Sequence, residues 1–228
     1  MHLPGWPSLL FAVATIVVIP VMALRSAGRV RQLRAQGAMP SRVSMLAQSL
    51  LSLTLLFGIA FSVGRSFGFD VFATPPVGAR EVALAVAALG ALFAIRALLR
   101  WTRDADEERR LAVFSWMPRT TLERALFVAV AIVAGVSEET VYRGVGMQIL
   151  WHATGAPKIA AIVMALAFAA AHAAQGRKSA VAVFAIALVM HALVWHTGTL
   201  VLAMAVHAVY DVAAGILAGN RARRLGLP

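Results

Sequence analysis

The segment Ser137-Glu138-Glu139-Thr140-Val141-Tyr142-Arg143 decides how this chain is read. It closes an uncharged run that starts at Ala125, so two adjacent carboxylates and a guanidinium lie in a stretch otherwise fit for lipid. An ionised side chain in the apolar layer costs roughly 3 kcal/mol or more, and such a cost is rarely kept without a use. Glu139 and Arg143 stand four residues apart, so one helical turn makes them an ion pair. Glu138 points about 100° further round the helix and has no partner in its own segment.

The rest of the composition agrees with a membrane setting. The 228 residues are 61% hydrophobic, with a mean hydropathy of +0.80, whereas a soluble domain is roughly half apolar. There is no cysteine, which excludes disulfides and thiolate metal sites. The net charge of +11 is spread between apolar runs, the pattern that sets membrane topology and not a nucleic-acid surface. Nineteen of the 21 basic residues are arginine, a hint of a GC-rich bacterial gene. Met1 to Ser8 carries no basic side chain, and the next apolar run reaches Arg25 without a small-residue cleavage site, so it reads as a retained span.

Seven apolar runs predict an all-α, polytopic membrane bundle of about seven spans: Trp6–Leu24, Ser44–Val63, Val82–Leu99, Thr121–Leu150, Lys158–Ala174, Ser179–Trp195 and Thr199–Ala218. Pro4, Trp6 and Pro7 suit an interfacial start to the first. Arg100 to Arg110, with Asp104, Asp106, Glu107 and Glu108, reads as a solvated turn. Alternating the spans puts 17 basic residues, Arg96 included, on one side and only Arg65, Arg80, Arg143 and Lys158 on the other. The positive-inside rule then predicts an outer N-terminus and a cytoplasmic C-terminus.

Three polar-bearing pairs share one spacing on three spans: Glu139 with Arg143, Phe168 with His172, and His207 with Asp211. Each pair occupies one helix face, and intramembrane ionisable groups face the bundle interior and find partners there. Glu138, His172, His207 and Asp211 together are carboxylates and imidazoles able to activate water. Singly, each has a plainer reading. A lone histidine in a span more often hydrogen-bonds a neighbouring helix, and Asp211 can simply orient His207. Coincidence on three spans weighs against that. His2, His152, His191 and His196 lack such company and read as structural, with His191 and His196 on or just beyond span six. Gly135-Val136-Ser137-Glu138 matches a Gly-x-Ser-x pattern, but so short a match is common and Ser137 is not favoured as a nucleophile. No His-Glu-x-x-His helix or phosphate-cradling glycine loop is present.

Glu138-Glu139-x-x-x-Arg143, Phe168-x-x-x-His172 and His207-x-x-x-Asp211 resemble, in order, the three motifs of the CPBP (Abi) intramembrane proteases, the family of the CAAX prenyl endopeptidases and of bacterial proteins tied to bacteriocin processing or immunity. Thr197-Gly198-Thr199-Leu200 resembles the approach to the last motif. The resemblance covers Leu122 to Leu217. It implies a catalytic core in residues 121–228, spans four to seven, behind N-terminal spans one to three in residues 1–120. It further implies an endopeptidase acting on a membrane-associated peptide or protein, with lipid-modified substrates included. Glu138 and His172 would activate water, Glu139 would hold Arg143, and His207 with residue 211 would face the oxyanion. Many relatives carry Asn at that last position. An ionised Asp211 cannot donate a hydrogen bond, so here it is expected to orient His207 or bind a metal. No cofactor is obligatory; a divalent metal such as zinc, if used, would take His172, His207 and Glu138. The competing reading is a non-hydrolytic immunity or scaffold protein of the same family. A proton-coupled transporter would need a repeat architecture, which the sequence lacks.

Depth poses a problem. Counted from Ala125, Glu138 lies about 20 Å into the layer, and His172, counted from Lys158 on the opposite side, about 21 Å. Across a core of ~30 Å these depths disagree by roughly 10 Å. Span four is therefore expected to be long and tilted, with its first turn outside the lipid.

Overall fold

The computed structural model describes residues 5–104, 107, 114, 117–224 and 226. His2, Pro4, Asp106, Glu108 and Arg110 lie outside the described residues. Among the described residues the long elements are all helices: α1 Trp6–Ala35, α2 Arg42–Ser66, α3 Ala79–Trp101, α4 Thr121–Thr154, α5 Pro157–Ala171, α6 Arg177–Thr197 and α7 Leu200–Arg224. All but α5 are long and apolar enough to cross a membrane. The outward faces carry Leu55, Val86 and Leu166, each more than half exposed, as expected where lipid replaces water. The protein is an integral membrane helix bundle.

Local sequence explains the boundaries. Helix α4 opens on a capping box. Thr120 Oγ1 accepts from the Glu123 amide at 3.2 Å, and Glu123 Oε2 accepts from the amides of Thr120 and Arg119 at 3.1 and 2.7 Å, which satisfies donors a helix start would leave bare. It closes on Gly155, whose φ of 67° is a left-handed value that glycine adopts at little cost. Pro157 then starts α5, where its missing N–H is not needed.

Two boundaries depart from the sequence expectation. Helix α1 continues past Leu24 to Ala35, so Arg25, Arg29, Arg31 and Arg34 are helical instead of forming a loop. Beyond Leu24 only Gly28 interrupts the helix formers, and the helix ends just before Gly37, where φ is +65°. Pro20 is tolerated within α1 because the preceding turn widens to π geometry at Ala14–Val18, which absorbs a missing donor. Helix α5 stops at Ala171, three residues early, and is followed by a 3₁₀ turn at Ala173–Gln175.

Helix α4 is the centre. In its most apolar window 44% of residues are buried, against 11–28% in the other candidate spans. It packs chiefly on α7 and α2, while α3 packs on α6. The α4–α5 hairpin also removes the depth conflict. Arg143 lies over Phe168, with 4.4 Å from the guanidinium carbon to the ring centroid, and Met164 sits where a side chain on Gly146 would go. Residues equally far from the turn at Gly155–Ala156 therefore face each other. Glu139 and His172 each lie 15 residues from that turn, about 22 Å along either helix. The long α4 reaches well beyond the lipid thickness, so entry at Ala125 is the wrong origin for counting.

Candidate functional site

The close approach of α4 and α7 brings the first and third motifs together. A Cβ on Gly135 would lie 2.8 Å from the Met204 carbonyl oxygen and 3.0 Å from the Ala208 amide nitrogen, so only glycine lets the backbones meet there. One turn on, Glu139 is fully buried and Arg143 2% exposed. Arg143 Nη1 donates to Glu139 Oε1 at 3.2 Å, and Nδ1 of His207, 68 residues away in sequence, lies 2.8 Å from the same oxygen. His207 Nε2 faces two further carboxylates, Asp211 Oδ2 at 3.5 Å and Glu138 Oε2 at 3.7 Å. Both nitrogens of this imidazole thus face acceptors, an arrangement suited to a ring that donates at each.

The two acidic neighbours differ as the helix periodicity requires. Glu139 points into the bundle, while the Glu138 side chain keeps 17% exposure and that of Asp211 35%. These two mark the open side of the cluster.

The second motif reaches the cluster through an aromatic ring. Phe168 is buried and touches Tyr142 edge-on at 4.9 Å between centroids, His172 at 4.4 Å and His207 edge-on at 6.3 Å. His172 is not within α5 as expected but caps its end, with φ −98° and ψ 3°. Its Nδ1 lies 2.8 Å from the Phe168 carbonyl oxygen. A carbonyl only accepts, so Nδ1 carries the hydrogen and Nε2 of the neutral ring keeps its lone pair. That is the form a base or a water acceptor requires.

The structure thus gathers Glu138, Glu139, Arg143, His207 and Asp211 directly, and sets His172 beside them across Phe168. Among the described residues no three His, Asp or Glu side chains converge closely enough to hold a metal ion. Ser137 is fully buried and its Oγ has no hydrogen-bond partner, a poor setting for a nucleophile. His152 stacks on Trp151, and His196 is exposed. His191, placed on span six by the sequence, lies inside α6 and is 9% exposed.

Sequence reasoning missed Gly135, Tyr142 and Arg96. In the sequence Gly135 stands out only as part of the Gly-x-Ser-x pattern. Its signal was its place three residues before Glu138, near the face that meets α7. Arg96 had been counted among loop cations, yet its Nη2 donates across the bundle to the Ala214 carbonyl oxygen at 3.3 Å.

Residues 120–213 match the family model described as type II CAAX prenyl endopeptidase, Rce1-like, the CAAX-protease family that the three motifs resemble. No curated protein and no solved structure matched the chain.

Proposed function

We propose that this protein is an intramembrane endopeptidase that hydrolyses a membrane-associated peptide or protein, lipid-modified chains included, with water activated by Glu138 and His172. The observation that carries this reading is the contact of Glu139 with His207 at 2.8 Å, which holds distant motifs around the partly open Glu138. Glu138 accepts a proton from water while Nε2 of His172 orients it, and the hydroxide oxygen bonds to the scissile carbonyl carbon. The resulting oxyanion faces the His207 Nε2 edge, where donors matched to developing charge are worth most. As the C–N bond breaks, Glu138 returns the proton to the leaving amine. Glu139 and Arg143 hold the frame and touch no substrate.

The scheme routes no step through a metal; a divalent ion such as zinc, if used, would be held by His172, His207 and Glu138. The cationic sides of α1, the α3–α4 connection and the C-terminal tail support an outer N-terminus, a cytoplasmic C-terminus and a bacterial inner membrane.

The test is cleavage of fluorogenic peptides, prenylated and unmodified, by purified protein in detergent with and without chelator. Glu138→Ala and His172→Ala are expected to lose activity while the thermal unfolding midpoint stays near wild type. Full cleavage by either variant would end the proposal. Partner binding in cells retained by Glu138→Gln, with no cleavage by wild type, would instead favour the immunity or scaffold reading.

A further inference from the structure

The inner side of the cluster is polar and incompletely paired. Glu139 Oε1 accepts from both Arg143 and His207, yet Glu139 Oε2, Arg143 Nε and Arg143 Nη2 are buried without hydrogen-bond partners among the described residues. Phe168 covers the flat face of the Arg143 guanidinium but offers nothing to its N–H edges. Buried polar groups of this kind almost always have a partner, protein or water.

A further orphan nitrogen lies close by. Nε2 of His191 is buried and unpartnered. His191 stands six residues before Thr197 and His207 seven after Leu200, so the α6–α7 hairpin sets the two imidazoles level on adjacent helices. Ala187 and Val194, four residues before it and three after, pack into the core cluster that contains Tyr142 and Phe168, which aims His191 at the same interior. It lies close enough for the charges of Glu139 and Arg143 to act on it.

We propose that His191 is a positioning residue that holds a buried water against the Glu139–Arg143 pair. That water accepts from an Arg143 N–H and donates to Glu139 Oε2 and His191 Nε2. Three bonds are what a buried water usually makes. It brings the free oxygen of Glu139 and the free edge of Arg143 into register, and thereby fixes the oxygen on which His207 hangs. This role rests on the hydrolytic reading of the site, but the water itself does not.

The experiment uses the full-length protein in detergent with ¹⁵N-arginine, the Arg143 Nε–H signal being assigned by its loss in Arg143→Lys. A cross-peak from that hydrogen to a bound water is expected in wild type and in His191→Gln, whose amide reaches a similar point, and not in His191→Phe. His191→Phe should lower kcat by about tenfold to a hundredfold, the scale seen when outer hydrogen-bond partners of a site are lost, with KM unchanged. His191→Gln should restore most of it. Wild-type kcat in His191→Phe, no rescue by glutamine, or no water contact at Arg143 in wild type would each overturn the proposal. If His191→Phe fails to fold, the wild-type cross-peak and His191→Gln still decide. Wild-type protein that shows the water but cleaves nothing would defeat the peptidase reading and leave the water in place.

Discussion

At the scale of single residues, Glu139 is the hub, because one carboxylate oxygen anchors side chains from its own helix and from α7. A buried pair contributes little against an apolar replacement, but removing one partner strands the other charge. Glu139→Gln or Arg143→Ala should therefore cost about 3–5 kcal/mol, read as a lower unfolding midpoint in detergent. Glu138→Gln should cost much less, since Glu138 is partly exposed and lies 3.7 Å from His207 without a close hydrogen bond. Equal loss in both would show that the two carboxylates are not divided between frame and chemistry. Asp211 supplies a second residue-scale prediction. Asp211→Asn keeps the side-chain shape and adds a donor, so peptide cleavage should stay within about tenfold of wild type. Asp211→Ala should lose about tenfold to a hundredfold, the usual cost of removing a carboxylate that orients a functional imidazole. Equal kcat/KM in the two variants would remove residue 211 from the chemistry.

At the scale of elements, α4 is an α-helix interrupted by one π turn, Thr140–Val145, directly after the acidic pair. A π turn inside an α-helix often marks a functional position, and here its fit depends on glycine. The Gly146 amide donates to the Val141 carbonyl oxygen, which would lie 2.6 Å from a Cβ at residue 146, and Met164 Cε would lie 2.4 Å from it. Gly146→Ala must therefore shift the α4 backbone at Val141 and turn the end of the Met164 side chain aside. An overpacking cost of about 1–3 kcal/mol is expected, with cleavage lost more steeply than stability because the shift displaces Arg143 from Phe168. Unchanged kcat and unfolding midpoint would show that the π turn is dispensable. The end of α5 was the element least legible in the sequence. Past Ala171 only His172 interrupts a run of alanines that continues through Ala174, and one histidine does not by itself announce a helix stop. His172 ends the helix by bonding the Phe168 carbonyl with its ring, a choice settled by the packing of Phe168.

At the scale of the whole molecule, the absence of cysteine makes topology easy to test. Thr154→Cys and Ala38→Cys should label with a membrane-impermeant maleimide from opposite faces, Thr154 from outside. Labelling of both from one face would contradict the bundle, and inverted labelling would reverse the proposed orientation. Trp151 and Trp195 lie near Thr154 at one end of the bundle, with rings 6.1 Å apart and partly exposed, as in the aromatic belt found at either membrane interface.

The sequence alone determined the seven-helix order and named the residues of the candidate cluster. Apolar run length and cation placement answer to the bilayer, and the spacing of four residues answers to the helix, so both can be read along one strand of chain. Tertiary structure decided that Gly135 lets α4 meet α7, that His172 caps a helix instead of continuing it, and that His191 is buried inside α6. These depend on which helix faces touch and how deeply, and contact between faces arises from close packing among distant residues, which no local pattern encodes.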